Sequence, residues 1–571
     1  MDEQPAGPPL RFAVLCDHDT IELWQKEALC RLVAVQGVEF AFAVVRSDAV
    51  ARPQPPLRRR VGRHSLYNLV FRRVSRHCEA MHRVPLGECF PGLRVFPSGT
   101  VRLPRGRTAL PPETLALCAR EGIDFLVRFG FGILSGEALT QPRLGVWSFH
   151  HGDPSQFRGM PPGVWEMIRG APTTGAIVQR LSETLDGGAV LAMARMPTRH
   201  GSYTRQLSDL LLGSAPLLAH AAAQARHLGA VPDIPVTELG PIYRKPQTAD
   251  VLRLLVRMPL ARLLGLLRVL VLQQHWRVVA MRGSARAVVD GGFDQRLPHS
   301  QSALSVLAEE AGAFAADPFL VRADEGDGAG FRLLVERFDW KSGKGHIATA
   351  DMDAQGRFSP LSTIIETPGH LSYPLAMRGA EGLAIYPEAT QDGVLRAYRL
   401  TPGASRADAF AELGTAVLDP TIFEHGGRWW MFYCGDTANT TLCLRHAPGP
   451  DGPWVEHRAN PVKIDVTNAR PAGAVLTVGE MLVRPAQVCS PHYGYALMFN
   501  RIDTLNEDCF AETPVARILP AATGPYRHGV HTVAAAGDWL VFDQMCWRFQ
   551  WRETIRILHA KLGGLFVKQR P

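Results

Sequence analysis

The sequence lacks paired cysteines, extreme charge and long uncharged apolar runs. Its ten cysteines include no Cys-x-x-Cys pair, which argues against a zinc ribbon and gives no sign of a dense disulfide framework. A content of 20 % charged and 46 % hydrophobic residues excludes the intrinsically disordered class. The N-terminal segment MDEQPAGPPLRF has no basic region followed by an apolar run, so we predict no signal peptide and expect a cytoplasmic protein.

The length of 571 residues exceeds what one hydrophobic core usually organises, so at least two domains are expected. The residue patterns change character twice along the chain. They predict an α/β domain over residues 1–205, a helical connector over 206–280 and an all-β domain over 281–571.

The first region alternates strand and helix patterns. The apolar runs LRFAVLC and VEFAFAVV flank the helical pattern IELWQKEALCRLVAV, and DFLVRFGFGIL is typical of a buried strand that leaves into a glycine-containing loop. LGVWSFH predicts the next strand. This alternation predicts a parallel, doubly wound, Rossmann-like sheet, in which ligands bind at the carboxyl ends of the strands.

The connector is apolar enough to raise the question of a membrane. Four arginines and a proline interrupt its apolar run: Arg253, Arg257, Pro259, Arg262 and Arg268. No stretch therefore reaches the ~18 uncharged residues that a span requires. We predict a helical connector packed between domains. The alternative is an amphipathic helix in the 251–281 segment that contacts anionic lipid peripherally.

After residue 281 short aromatic and β-branched runs dominate, among them GLAIYPEA, RWWMFYCG and YGYALMFN. The motif DPFLVR near position 317 is repeated as DPTIFE near position 419. This repetition predicts a five-bladed β-propeller with blades of about 60 residues. A large β-sandwich is the alternative.

One polar pair lies at the end of a predicted buried strand. Side chains alternate along LGVWSFH, so Ser148 and His150 share one face. Asp186 follows in a Leu-Asp-Gly-Gly turn. A histidine and a carboxylate near the end of such a strand indicate acid–base chemistry.

Three ordered segments resemble the formyltransferase family, which includes methionyl-tRNA, glycinamide ribonucleotide and sugar-nucleotide formyltransferases. They are FGFGILSGEAL, GVWSFHHGDPSQFRGMPPGVWEMIRG and TTGAIVQRLSETLDGGAVL, within residues 10–200. The resemblance implies that His150 and Asp186 are catalytic and that Ser148 stands where the family has asparagine. It also implies a 10-formyltetrahydrofolate cofactor held largely by backbone. The contacts that it implies are Phe129, Gly132, Ile133, Leu134 and the segment Glu183–Gly187.

Ser148 bears directly on the predicted reaction. Formyl transfer develops an oxyanion and requires an amine to lose a proton. Asp186 beside His150 would favour an imidazolium that donates to the oxyanion, whereas loss of the asparagine donor costs roughly 3 kcal/mol. Three alternatives follow: Ser148 works through a water, a neighbour such as His151 or Asp153 compensates, or the reaction has changed.

The C-terminal region carries a second set of motifs. DPTIFEHGGRWWMFY resembles propellers related to glycoside hydrolase family 43, and HLSYP, PEAT, RPAG, RPAQ and GVHTV resemble the N-terminal region of plant glucosamine inositolphosphorylceramide transferases. The hydrolase resemblance implies that Asp317 is a base and that Asp419 tunes a pKa. Glu388 and Glu480 both match the acid imperfectly, and Gln487 stands where a carboxylate is expected, which disfavours hydrolysis.

The sequence also allows structural roles for Asp317, Asp419 and His531. Aspartates that precede proline at strand starts also cap turns between blades. His531 is expected to line the channel of the propeller, either near a metal or as a hydrogen-bonded core histidine.

The sequence favours a transferase of glycan or glycolipid biosynthesis. It would move a formyl group from the folate to an amino sugar, its nucleotide or a glycolipid. No nucleic acid partner is expected, because the net charge is only +8. One alternative is a propeller-based glycosyltransferase or glycosidase with a binding-only formyltransferase-like domain, and another is a non-catalytic carbohydrate-binding protein. The oligomeric state stays open.

Overall fold

The computed structural model describes residues 8–48, 63–90, 92–236, 238–299, 301–323 and 330–556. The chain divides into two compact units, Met1–Arg262 and Leu263–Pro571. The boundary falls inside a long helix rather than in a loop.

Unit 1 consists of short strands that alternate with helices. Its strands are β1 (Leu10–Cys16), β2 (Thr20–Glu22), β3 (Val38–Arg46), β4 (Arg83–Pro85), β5 (Val95–Ser98), β6 (Val101–Arg102), β7 (Arg107–Ala109), β8 (Phe125–Arg128), β9 (Ile133–Leu134), β10 (Val146–His150), β11 (Arg158–Gly159), β12 (Thr173–Arg180), β13 (Ala189–Pro197) and β14 (Ile242–Tyr243). Its helices are α1 (Leu23–Val33), α2 (Ser65–His77), α3 (Pro112–Arg120), α4 (Val164–Arg169), α5 (Tyr203–Ser214), α6 (Leu217–Leu228) and α7 (Thr248–Val271), the last of which continues past the boundary.

A seven-stranded sheet forms the centre of unit 1, with the strand order β13-β12-β10-β8-β1-β3-β5. The strands from β5 to β10 pair in parallel, which confirms the predicted α/β class. β12 and β13 instead run antiparallel to their neighbours. The turn between β12 and β13 is too short for the helical crossover that a parallel pair requires.

Apolar side chains bury both faces of this sheet. Ala13 and Leu15 of β1 pack in one cluster with Leu115 and Cys118 of α3. A second cluster gathers side chains from α1, α2, α4, α5 and α7. The sheet is therefore a buried layer between helices, as expected for parallel strands rich in β-branched and aromatic residues.

The helical segment after β13 differs from the predicted connector of residues 206–280. α5 and α6 pack against β12 and β13, because Leu207, Leu210 and Leu211 form a buried apolar face. Residues 273–280 lie in a strand instead of a helix. Among the described residues, no helix has both the length and the apolar character of a membrane span.

Unit 2 is composed almost entirely of strands. They are β15 (Gln273–Arg282), β16 (Gln295–Arg296), β17 (Ser305–Val306), β18 (Ala313–Arg322), β19 (Phe331–Asp339), β20 (Lys344–Met352), β21 (Ser362–Ile365), β22 (Ser372–Gly379), β23 (Gly382–Glu388), β24 (Val394–Leu400), β25 (Asp408–Thr415), β26 (Leu418–His425), β27 (Arg428–Cys434), β28 (Thr441–Ala447), β29 (Val455–Glu456), β30 (Lys463–Ile464), β31 (Leu476–Val478), β32 (Met481–Val488), β33 (Ala496–Leu505), β34 (Phe510–Leu519), β35 (Val533–Ala536) and β36 (Trp539–Arg548). A short helix, α8 (Ala285–Gly291), follows β15.

These strands form sheets of four or five members. The orders are β18-β19-β20-β21, β22-β23-β24-β25, β26-β27-β28-β29, β16-β34-β33-β32-β31 and β17-β15-β36-β35. The last sheet joins both ends of the unit, because β15 pairs along its whole length with β36. The predicted sheet-rich C-terminal region is confirmed.

Candidate functional site

The first candidate site lies at the carboxyl end of the central strand β10. Its Ser148 lies opposite Arg128 of the parallel strand β8 and opposite Gln179 of the antiparallel strand β12. Ser148 and His150 are both buried, on the face that the alternation predicts. Trp147 points the other way and stacks on Phe125, 4.0 Å between ring centroids.

His150 and Asp186 lie beside each other, with 3.6 Å between Nδ1 and Oδ1. The backbone N–H of Gly159 donates to the other carboxylate oxygen of Asp186 at 3.2 Å, and the side chain of Gln179 approaches Oδ1 at 3.5 Å. Asp186 has a left-handed backbone, φ 49°, at the tip of its turn. These contacts fix a carboxylate beside an imidazole at a strand end.

The other ring nitrogen of His150 donates to the carbonyl of Phe157 at 3.1 Å. Gly152 permits this approach, because a Cβ there would lie 2.3 Å from the Phe157 oxygen and 2.9 Å from Nε2 of His150. Both ring nitrogens thus face acceptors, and the imidazolium form can donate to both at once.

Arg128 is a residue of this site that our sequence reasoning missed. Its Nη1 donates to the Ser148 hydroxyl at 3.0 Å, and its Nη2 donates to the carbonyl of Gly132. Burial lowers the pKa of Arg128, while the charges of Asp17 and Asp186 oppose the shift. The sequence contains a sign that Arg128 is unusual, because arginine is rare inside a buried strand such as the one that DFLVRFGFGIL predicts.

The loop implied to contact the cofactor has a tightly fixed backbone. Phe131 and Gly132 both have left-handed φ angles, 64° and 67°. The Phe131 N–H donates to Asp17 at 2.8 Å, and the Thr108 hydroxyl donates to the carbonyls of Phe131 and Ile133. The loop is therefore preorganised before any ligand binds.

The structure places the implied cofactor contacts in different surroundings. Leu134 is buried in the core, whereas Ile133 is 44 % exposed. The Phe129 ring packs edge-on to Trp24, 5.7 Å between centroids. The Phe129 side chain is thus partly buried against core residues, and its backbone N–H donates to the carbonyl of Leu15 at 2.8 Å.

The turn that carries Asp186 is tied to the same loop. Glu183 accepts from the Gly136 N–H at 2.9 Å and pairs with Arg107, and the Gly136 bond is the main cause of its lowered pKa. The Gly187 N–H donates to the carbonyl of Thr184 at 3.2 Å. Gly136 and the Asp186 turn are therefore parts of one hydrogen-bonded structure.

Two neighbours that the sequence offered as substitutes for the asparagine have other roles. His151 points to the opposite face, where its ring lies against Trp24 and hydrogen-bonds Ser214 at 3.1 Å. Burial and the charge of His150 lower the pKa of His151 to about 3. Asp153 accepts from the backbone and the hydroxyl of Ser155 and pairs with Arg195. Neither contacts Ser148 in the described structure.

The second candidate site lies in unit 2, at a structural feature that occurs three times. Asp317, Tyr373 and Asp419 each precede a proline, each has φ between 46° and 50°, and each sits at a register shift of its strand. Such bulges interrupt the regular strand pairing and change the direction in which a side chain points. The Tyr373 repeat was missed because tyrosine replaces aspartate in the motif.

A buried cluster surrounds Asp317. His531 Nε2 lies 3.2 Å from Asp317 Oδ1, and His531 Nδ1 lies 2.6 Å from Asp543 Oδ2. Burial opposes the charged form of His531, but the two carboxylates outweigh it and raise the pKa of the histidine. For Asp317, burial disfavours the charged carboxylate and is the main cause of its raised pKa. Asp543, buried within the strand WLVFDQM, was not anticipated.

Asp419 belongs to a neighbouring charged cluster. Arg470 binds both of its carboxylate oxygens, and Gln487 donates to Oδ2 at 3.0 Å. Glu388 accepts from the Asp419 N–H at 3.1 Å, and burial with the charge of Asp419 raises the pKa of Glu388 to about 8. The structure thus brings Glu388 and Gln487 to Asp419. Arg470, the remaining partner, was missed by sequence reasoning.

Comparison with known protein families agrees with this division into two parts. Residues 94–212 match the family described as formyl transferase. Residues 300–524 match the family described as the N-terminal part of glucosamine inositolphosphorylceramide transferase 1. One part of the chain is therefore similar to formyl transferases and another to the N-terminal part of those transferases, and both resemblances seen in the sequence are confirmed.

Two relatives each align with a minority of this chain. Glucosamine inositolphosphorylceramide transferase 1 of Oryza sativa subsp. indica is 29 % identical over 212 residues, 35 % of this chain and 28 % of the relative. Methionyl-tRNA formyltransferase of Prochlorococcus marinus is 32 % identical over 138 residues, 23 % of this chain and 39 % of the relative. The chain thus aligns with less than half the length of either relative.

Solved structures show the same two kinds of neighbour at low similarity. A sugar N-formyltransferase from Shewanella sp. covers 43 % of this chain and 87 % of its own, with 14 % identity and a TM-score of 0.28. A glycoside hydrolase family 43 enzyme from Xanthomonas citri covers 41 % and 86 %, with 11 % identity and a TM-score of 0.30.

Proposed function

We propose that unit 1 is a folate-dependent formyltransferase whose acceptor is the amine of an amino sugar, free, nucleotide-linked or lipid-linked. The observation that carries the proposal is the pairing of His150 with Asp186, 3.6 Å apart at the end of the central strand β10. This is the acid–base frame that amine formylation requires.

Each residue of the frame has a task in this reaction. Asp186, held by the Gly159 N–H, accepts the proton that the attacking amine releases, directly or through water. His150 donates to the oxygen on which negative charge develops, once its Nε2 leaves the Phe157 carbonyl. The two residues thereby separate the roles of acid and base.

Arg128 provides the donor that the asparagine position lacks. The Ser148 hydroxyl accepts from its Nη1 and so holds the guanidinium beside the strand end. Its Nε has no hydrogen-bond partner among the described residues although it is buried. A fixed, charged donor stabilises developing negative charge at least as well as an amide. The contact between Arg128 and Ser148 therefore supports a donor role for Arg128 in place of the asparagine.

The residues that would hold 10-formyltetrahydrofolate fit recognition by backbone. The loop at Gly132 is already fixed by Thr108 and Asp17, Ile133 is exposed at its edge, and the Asp186 turn adjoins it through Glu183. When bound, the folate supplies the formyl group. The Gly132 carbonyl accepts from Arg128 and the two flanking carbonyls accept from Thr108, so these carbonyls would contact the folate through their second lone pairs.

The proposed class of acceptor rests on the C-terminal match. The relatives of residues 300–524 are named for glucosamine and inositolphosphorylceramide, an amino sugar and a lipid. A chain that joins such a region to a formyl transferase domain would have an amine of this kind as its acceptor.

The experiment is incubation of the full chain with 10-formyltetrahydrofolate and a panel of amino sugars, their nucleotides and glycolipids, with products read by mass spectrometry. A formylated amine that disappears in His150→Ala supports the proposal. Absence of product from every acceptor, together with no stabilisation of the protein by folate, would contradict the proposed formyl transfer.

A second candidate function belongs to unit 2. We propose that its five sheets close into a five-bladed propeller that binds or transfers a sugar at the Asp317 and Asp419 clusters. Hydrolysis is disfavoured, because Gln487 stands where the hydrolase resemblance implies a carboxylate and donates to Asp419. Loss of turnover in Asp317→Asn but not in His150→Ala would favour this function over formyl transfer.

Asp317, His531 and Asp543 are the residues that would hold a divalent cation in unit 2. Their ligand atoms lie within 4.8 Å of one another, and the buried Nδ1 of His531 lacks a hydrogen bond of good geometry although Asp543 is close. One imidazole and two carboxylates form a ligand set that several divalent metals accept.

A further inference from the structure

α7 presents an apolar face to solvent. Val256, Leu260, Leu263 and Leu267 are 47–68 % exposed, although aliphatic side chains of this size are usually buried. At 100° per residue these four positions fall within an arc of about 60° on the helix. Val251 and Leu254, which are buried, lie on the opposite side. The exposed face is therefore continuous along several turns.

Positive charge borders this face, and negative charge is absent from the segment. Arg253, Arg257 and Arg268 lie on one edge of the helix and Arg262 on the other. No aspartate or glutamate occurs between Asp250 and Asp290. The side chain of Arg253 is 73 % exposed. A partner of this surface must therefore be apolar at its centre and negative at its edges.

Exposed aromatic side chains adjoin the C-terminal end of the same helix. Thr554 donates to the carbonyl of Leu270 at 2.6 Å, and the Arg268 guanidinium lies 4.4 Å from the Trp547 ring centroid. These contacts bring the following segment to α7, and in it Phe549 and Trp551 are 61 % and 57 % exposed. Aromatic rings beside a basic, apolar helix are typical of the boundary between lipid headgroups and acyl chains.

We propose that α7, with Phe549 and Trp551, docks on the surface of a bilayer that contains anionic lipids, with the helix lying in the membrane plane. The arginines that border the apolar face prevent a span and meet the lipid phosphates. A second copy of the chain fits less well, because a symmetric contact brings the same basic edges together. This docking does not depend on the reaction that either unit performs.

Flotation of the full chain with phosphatidylcholine vesicles, with and without phosphatidylserine, tests the proposal. The chain is expected to float with the anionic vesicles, to bind neutral ones weakly, and to be released by high salt. Replacement of Leu263 and Leu267 by glutamate should reduce the bound fraction by roughly tenfold or more. The matched control is Leu69→Glu with Leu228→Glu, two leucines that are 64 % and 59 % exposed elsewhere.

Thermal unfolding and circular dichroism of all three proteins establish that the variants fold. Absence of flotation for the unaltered chain on both vesicle types overturns the proposal, as does equal loss of binding in the control. A chain that does not float but forms a dimer, which the Leu263 and Leu267 changes dissociate, would identify the face as a self-association surface instead.

Discussion

Arg128 donates a hydrogen bond from Nη1 to the Ser148 hydroxyl across 3.0 Å, between two adjacent parallel strands. Under the proposed formyl transfer, this contact makes Ser148 part of a charged donor site in place of the family's asparagine. It predicts that the two residues act together, so that each is best tested in combination with the other.

Arg128→Ala removes the proposed donor and should lower kcat for formyl transfer by roughly 10²–10³-fold. Arg128→Lys should recover only part of this, because an ammonium lacks the planar fork that reaches both Ser148 and Gly132. Steady-state kinetics with the amine that proves to be the acceptor provide the measurement.

The double change Arg128→Ala with Ser148→Asn restores the pattern typical of the family and should regain activity relative to Arg128→Ala alone. Unchanged kcat in Arg128→Ala, in a protein that melts like the unaltered chain, would show that the guanidinium takes no part in the reaction.

Asp186→Asn should abolish most turnover, because the amide retains the shape but cannot accept the amine proton. We expect a loss of roughly 10²-fold or more in kcat. Asp209→Asn is the matched control, since it makes the same change to an aspartate of α5 that pairs with Arg199 outside the site. Equal losses in both variants would point to a general loss of folded protein and not to a missing base.

Glu166 on α4 predicts a pH dependence of stability in unit 1. It is 2 % exposed, and burial raises its pKa from 4.5 to about 7. Between these values the folded protein keeps a proton that the unfolded chain has lost. Stability therefore falls as the pH rises from about 4.5 to 7, by an amount on the order of 3 kcal/mol.

Glu166→Gln should remove this fall, so that the variant gains in Tm relative to the unaltered chain at pH 8 and not at pH 4. Glu113→Gln, at an exposed position of α3, controls for the loss of one charge. A pH profile of Tm that is the same in Glu166→Gln and in the unaltered chain would contradict the prediction.

The cluster of Asp317, His531 and Asp543 predicts that a chelator destabilises unit 2. Metal analysis of the purified chain should find one divalent cation, and EDTA should lower the Tm of the unaltered chain but not of Asp543→Asn. If no metal is found and EDTA leaves the Tm unchanged, His531 is held by its carboxylates alone.

The sequence predicted the parts of the first site that depend on local periodicity. Alternation along LGVWSFH places Ser148 and His150 on one face, and the Asp-Gly-Gly turn places Asp186 in reach. The Arg128 contact depends on the register of β8 against β10 and on a side-chain direction, neither of which a single strand encodes. The antiparallel pairing of β12 with β13 likewise follows from the short turn between them, which the helix–strand pattern did not reveal.

In unit 2 the repeated Asp-Pro pairs were visible as sequence, and the structure shows why they recur. Asp317 and Asp419 occupy the same kind of bulge, and Tyr373 occupies a third. Their partners Asp543 and Arg470 come from more than 50 residues away in the chain, so no local pattern links them. The long-range pairing of these charged side chains depends on how the strands of unit 2 pack together, and not on the secondary-structure propensity of any one segment.

The proposed formyl transfer is tested most directly by following an isotopically labelled formyl group from 10-formyltetrahydrofolate to an amino sugar in the presence of the full chain. Labelled N-formyl sugar is expected with the unaltered chain, and at most traces with His150→Ala or Asp186→Asn. Labelled product at the same rate in both variants, or none from any acceptor with the unaltered chain, would contradict it.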